Sequence, residues 1–340
     1  MAFKYSEGRM LLGDIDSVRE AYKKFNDQEI DLTELCEGDS GYSKKRTTIA
    51  GPCSVTGTGT FTGRAQRTLT FEPSDEPGWW IKRSDLTEQL MTPVSVRNVW
   101  TSARNIVLRS GNPHNYLRMV EHIVALRLGM GIDDMIISTD SGDPPLFDCS
   151  SLGMVETIEQ VGIVELDEPA SYVTVKEPVT FGGTRGDFLT FIPAEPSEYK
   201  LRIDCAIDFS SIIGQQRIAF DLTPGVFKKG SFARTNASFL KMLLVKAIGW
   251  SMADTRHLGY TRENILIHGK NKFYGEPRFI VGEKALEPVW HRAVLDLLAA
   301  VALLDMGRFC GTIVSYRAGH TLDCRAAGLL YLHKILQHME

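Results

Sequence analysis

At 340 residues, 43% of them hydrophobic and 24% charged, the chain has ordinary globular composition and enough length for two domains with buried cores. A formal net charge of -4 supplies neither a basic surplus for nucleic acid nor an acidic solvating tail. The six cysteines are scattered without a Cys-x-x-Cys pair, which disfavours a disulfide framework or a thiolate metal site and points to a reducing compartment.

Residues 1–7 are charged and lack the apolar core of a signal peptide. The most apolar later run, 294–306, contains Asp296 and Asp305 and is too short to span a bilayer, so it reads as a buried helix. These features predict a cytoplasmic protein without an integral membrane segment. Residues 1–45 are rich in charge, with a weak helical period at Leu11, Leu12, Ile15 and Val18, and predict an appended helical extension.

From Thr47 the texture changes. The Gly-rich stretch Thr56 to Gly63 reads as a turn; it is not a phosphate loop, because no Lys-Ser or Lys-Thr follows Gly63. Strands are predicted at 66–73, 94–100 and 135–139, with helices at 115–128 and 154–161 and a loop at 143–148. Trp79-Trp80 has no basic surround and reads as packing rather than a base-stacking platform. A second round follows, with strands at 172–175, 187–193, 200–208 and 216–221 and helices at 289–305 and 321–338. Strands before helices, twice over, predict an α+β fold with a boundary near Leu166–Pro169.

Four segments contain residues able to carry chemistry. In Met119-Val120-Glu121-His122-Ile123, adjacent side chains on a helix point about 100° apart. His122 can then ligate a metal while Glu121 leans over a metal-bound water. A helix-surface pair is the plainer reading of this dipeptide. His291 and Asp296 stand five residues apart, not the four that places a pair on one helix face. Five residues leave the two about 140° apart on a regular α-helix. Two readings stand: His291 caps the helix while Asp296 is solvated, or a one-residue π-bulge brings them together. His320, at a strand-to-helix junction, can protonate a leaving amine or serve a structural hydrogen bond. The Thr235 hydroxyl can polarise a carbonyl or cap a helix.

Taken together and in order, these pieces resemble the UDP-3-O-acyl-N-acetylglucosamine deacetylases, the zinc enzymes of lipid A synthesis. The resemblance runs through Thr56-Gly57-Thr58-Gly59, Val120-Glu121-His122, Gly131-Ile132-Asp133-Asp134 and Pro145 to Ser150. It continues through Val175 to Val179, Gln216 to Asp221, Ala233-Arg234-Thr235 and Ala318-Gly319-His320. It implies two two-layer α/β sandwich domains, 46–167 and 168–340, with the active site between them. It implies a zinc ion held by His122, His291 and Asp296, with Glu121 as general base and His320 as general acid. Thr235 would polarise the amide carbonyl, and Phe239 to about Ile267 would form the acyl-chain passage. The substrate would be a UDP-linked 3-O-acyl-N-acetylglucosamine.

The chain also departs from the family pattern. The family helix reads His-Lys-x-Leu-Asp, with a further Asp four residues on; here one residue is added, and the later Asp is Ala300. That Asp orients the acid His, so its loss is expected to weaken control of His320 protonation. The preceding glycine is Ala299, an aromatic-Gly-aromatic run is Asn236-Ala237-Ser238, and a His of the Gly-rich loop is Phe61. Arg292 would offset phosphate charge. These departures motivate an alternative, a metal-free homologue that binds a related glycolipid or a protein partner without turnover.

Overall fold

The structure is a computed structural model describing residues 3–248 and 259–339. Two main sheets flank a shared helical interior. The six-stranded sheet runs in the order Pro145–Leu146, Cys53–Gly59, Gln66–Pro73, Met135–Thr139, Trp79–Arg83 and Met91–Pro93. Its outer side carries a hydroxyl ladder, Ser54 to Thr70 and Thr56 to Thr68, each 2.9 Å apart and open to solvent. Its inner side buries Leu69, Phe71, Trp79, Ile81 and Ile137. This alternation is what period-two strands with one wet face require.

The seven-stranded sheet runs Arg9–Leu12, Val179–Gly182, Phe188–Ile192, Gly311–Tyr316, Leu201–Asp208, Gln215–Asp221 and Leu32–Glu34. Both edge strands come from the N-terminal segment and pair in parallel with their neighbours. The first 45 residues are therefore more than the appended helix expected of them. Helix α1 (Ile15–Asp27) starts at an Asp14 N-cap that accepts from the Ser17 amide. Its Val18, Ala21, Tyr22 and Phe25 pack on Phe188, Ala206, Val314 and Tyr316. The alternate residues Leu189, Phe191, Ile203, Cys205 and Ile313 face the main core. The second sheet is thus buried on both faces, which corrects the two-layer expectation for that half of the chain. Its near-continuous apolar strand Phe188–Ile192 already has the composition of a doubly covered strand.

Buried Arg217 fastens α1 to the sheet. It pairs with Asp204 at 2.8 and 2.9 Å, donates to the Phe25 and Gln28 carbonyls, and lies 3.9 Å over the Phe25 ring. A cation at the final carbonyls of a helix satisfies acceptors that the helix leaves free.

Helices α2 (Glu121–Met130) and α3 (Leu152–Val161) lie on the first sheet's side of the core. The short α4 (Pro224–Gly230) and α5 (Phe239–Ile248) follow. Helix α6 (Glu287–His291) runs into a π-helical turn (Arg292–Leu297) and on into α7 (Leu298–Ala302). Helix α8 (His320–Leu332) completes the helical set. The π turn and α7 pack against α2, and α7 packs against α8.

Several local expectations are revised. The Gly-rich stretch forms the end of the Cys53–Gly59 strand before the chain turns into Gln66–Pro73. The predicted strand at 94–100 begins as a 3₁₀ turn at Val96–Asn98 capped by Ser95 and becomes strand only at Val99–Thr101. Strand Leu336–His338 ends the chain where continued helix was expected.

Candidate active site

His122 sits in the first turn of α2, entered through Met119 at φ +48°. Ser151 donates to the His122 carbonyl at 2.7 Å, and the Ser150 hydroxyl lies 2.9 Å from its Nδ1. Of these serines at the start of α3, Ser151 holds the backbone and Ser150 orients the ring; Ser150 was legible only as part of a motif, without a role. Opposite stands His291 at the end of α6, with its Nε2 3.3 Å from Nε2 of His122. The Thr235 hydroxyl contacts both atoms, at 2.9 Å from His291 and 3.3 Å from His122. Thr235 follows Arg234, whose guanidinium is buried on Glu287 at 2.7 and 3.0 Å and ties this loop to the first turn of α6.

The π turn decides how His291 and Asp296 meet. Hydrogen bonding widened to i→i+5 absorbs one extra residue in a single turn. Asp296, 140° away from His291 on a regular helix, instead brings its Oδ1 to 3.5 Å from His291 Nδ1. The same oxygen is 3.7 Å from Nε2 of His320. That His320 nitrogen is also 3.7 Å from Oε1 of Glu121. All six predicted site residues, Glu121, His122, Thr235, His291, Asp296 and His320, thus form one chain of contacts from four distant segments.

The electrostatics follow from burial and neighbours. Burial, helped by His291, pushes the His122 imidazole down to about 3, so it stays neutral with a lone pair to offer. Burial opposes charge on Asp296 too, yet His291, His320 and Arg292 outweigh it and hold the carboxyl well below its ordinary range. Burial raises Glu121, only partly offset by His320. His320 is raised against its own desolvation by the carboxylates of Asp296, Glu121 and Asp323. Glu121 accepts the Ile106 amide at Oε1, while its buried Oε2 has no partner.

Among the described residues no three His, Cys, Asp or Glu side chains stand as a ready-made ion cluster. The donor set nonetheless fits a zinc ion. Nε2 of His122 and Nε2 of His291 face each other, the Thr235 hydroxyl has one proton for both, and the Asp296 carboxylate lies against the His291 ring; two imidazoles and a carboxylate are a donor set that zinc takes. Two Zn–N bonds of about 2.05 Å at the tetrahedral angle hold their nitrogens about 3.3 Å apart, the separation seen.

Arg292 is not available for phosphate. Its guanidinium is buried and donates to Asp323 Oδ1 at 2.7 Å. Asp323 went unnoticed in the sequence, although its i+3 spacing from His320 was a usable signal. His122 lines a small pocket with Met119, Leu146, Phe147, Ser150 and Asn264. Leu146, Phe147 and Asn264 also line an open cleft of about 600 Å³ with Gly57, Thr58, Thr261 and Glu263. Phe61, which replaces the family's His, lies under the Arg118 guanidinium at 4.2 Å. The expected acyl-chain region begins as a parallel pair, Asn236–Ser238 and Leu266–His268, around α5; its 249–258 portion lies outside the described residues.

The UDP-3-O-acyl N-acetylglycosamine deacetylase family model matches residues 46–331. The chain belongs to that family. A UDP-3-O-acyl-N-acetylglucosamine deacetylase of Cellvibrio japonicus is 26% identical over 85% of this chain and 91% of its own length. The enzyme of that name from Campylobacter hominis is 30% identical over 82% of this chain and 89% of its own. The one from Bdellovibrio bacteriovorus is 28% identical over 74% and 79%.

Proposed function

We propose that the protein is a zinc-dependent amide hydrolase that removes the acetyl group of a UDP-linked 3-O-acyl-N-acetylglucosamine, a step of lipid A synthesis. The convergence of His122, His291 and Asp296, made possible by the π turn, carries this reading. The names and coverage of the relatives support the substrate. On this reading each sheet with its helices is a domain, divided near residue 167, and the free, scattered cysteines suit the cytoplasm.

Zinc held by His122, His291 and Asp296 would supply Lewis acidity to water and to the acetamide carbonyl. Glu121 offers its unpartnered Oε2 to the water's proton, and burial strengthens that basicity. The Thr235 hydroxyl, beside both imidazoles, polarises the carbonyl oxygen as negative charge develops there. His320, kept protonated by its carboxylate neighbours, gives its Nε2 proton to the amine nitrogen as the C–N bond breaks. Acetate and the free amino sugar leave. The exposed Leu240, Leu243 and Leu244 of α5 suit the acyl chain.

A second reading, a non-catalytic relative that binds a glycolipid or partner, is favoured by the bonds from Thr235 to both imidazoles and by the lack of a ready-made three-residue cluster among the described residues. Elemental analysis of zinc-replete protein separates the two: near one zinc per chain is expected of the enzyme, and substoichiometric zinc favours the second reading. Glu121→Ala is then expected to abolish deacetylation while leaving zinc content nearly intact. Unchanged turnover would show that the base is misassigned.

A further inference from the structure

His320 has two ends. Its Nε2 faces Glu121 and Asp296. Its Nδ1 points into the protein, buried and without a partner. An acid histidine with one ring nitrogen unfixed has an undetermined tautomer and a loose ring orientation. One turn beyond Asp296, where a carboxylate could reach the same ring, the residue is Ala300.

A candidate to hold Nδ1 lies on the histidine's own helix. Asp323 lies three residues after His320 in the first turn of α8, so both side chains share a face. Asp323 is 1% exposed. One of its oxygens takes the Arg292 guanidinium at 2.7 Å; the other, Oδ2, is buried and unpartnered. Nε and Nη1 of Arg292 are likewise buried and unpartnered. Four unsatisfied polar atoms on three buried groups are costly unless they satisfy one another or share a water. Asp323 also contributes, after Asp296 and Glu121, to raising His320.

We propose that Asp323, clamped by Arg292, is the positioning residue for His320: through a bridging water its Oδ2 fixes the Nδ1–H tautomer and aims Nε2 at the leaving amine. The carboxylate that orients the acid comes from α8 itself, and Arg292, in the π turn that also carries Asp296, ties the two helices together. The inference rests on the deacetylase reading for its catalytic consequence, but not for its structural content.

The test pairs kinetics with an NMR readout that needs no turnover. Asp323→Asn, which keeps the shape and removes the charge, is expected to lower kcat ten- to a hundredfold with KM and zinc content unchanged. If Asp323 served only to neutralise Arg292, removing both charges in Arg292→Met/Asp323→Asn would restore kcat; the positioning role predicts that it stays low. In zinc-loaded protein, at a pH above which His320 has lost its Nε2 proton, ¹⁵N imidazole shifts are expected to show the neutral ring protonated at Nδ1 in the parent and mixed between tautomers in both variants. A parent that does not deacetylate but whose His320 shifts respond to Asp323→Asn would sink the enzyme reading and leave this one standing. Unchanged His320 shifts, or recovery of kcat in the double variant, overturn the positioning role.

Discussion

Deleting Ala293 tests whether the π turn is what joins His291 to Asp296. Deletion inside the turn returns the pair to spacing four on a regular α-helix, where side chains face each other with Cβ atoms about 5–6 Å apart. The present 3.5 Å contact is then retained, and the flanking helices keep their register. Deleting Ala299 from the regular α7 is the control. Each residue removed from an α-helix turns one side relative to the other by about 100°. At a side-chain radius of about 5 Å that displaces a group by about 8 Å, more than twice the His291–Asp296 contact. The Ala293 deletion is therefore expected to keep full zinc content and to hold kcat/KM within about threefold, under ~0.7 kcal/mol. Ala299 lies beyond both residues, so its deletion keeps their spacing but turns the segment carrying them about its axis relative to the rest of α7 and so away from His122, and is expected to lose both zinc and activity. Zinc titration by a chromogenic chelator and initial-rate assays would read the two variants side by side. If the Ala293 deletion lost zinc as completely as its control, the turn would not be a self-contained one-residue insertion, and the argument from its geometry would fall.

Glu121→Gln keeps the acceptor for the Ile106 amide but cannot take a proton, so deacetylation is expected to fall about 10²- to 10⁴-fold. Because burial raises the Glu121 carboxyl, its ionisation above the ordinary glutamate range weighs against the fold. The metal-free Gln variant should therefore melt higher than the parent at neutral pH and equal to it below about pH 4; a lower Tm at pH 7 would contradict this. The rate profile follows the same two groups. Activity should rise as Glu121 ionises, above its ordinary value of 4.5, and fall as His320 loses its proton, above 6.5, so both limbs are displaced upward. A falling limb that persists in His320→Ala would assign it to another group. Arg217→Met strands the Asp204 carboxylate in the core, and urea unfolding is expected to show a loss of about 3–5 kcal/mol; a loss under 1 kcal/mol would mean that the N-terminal segment is held by packing alone.

The strands at 135–139, 172–175, 200–208 and 216–221 could be read from the chain because their alternation or continuous apolarity is a local property of the sequence. Glu121, His122, Thr235, His291, Asp296 and His320, which the structure joins in one chain of contacts, were also singled out by residue type and order. Their convergence was not. Spacing five left His291 and Asp296 undecided, because helix periodicity fixes a side chain's direction only once the hydrogen-bonding pattern is chosen. Packing of the widened turn against α2 chose it. The same limit hid the N-terminal segment's place. Its edge strands and the helix over Phe188 and Tyr316 depend on partners more than a hundred residues away. It hid Asp323 as well, whose importance lies in the buried groups around it rather than in its own neighbours along the chain. Sequence alone determined which groups can do chemistry; burial and long-range packing decided which of them meet, because a charged or hydrogen-bonding atom removed from water must find its partner in three dimensions.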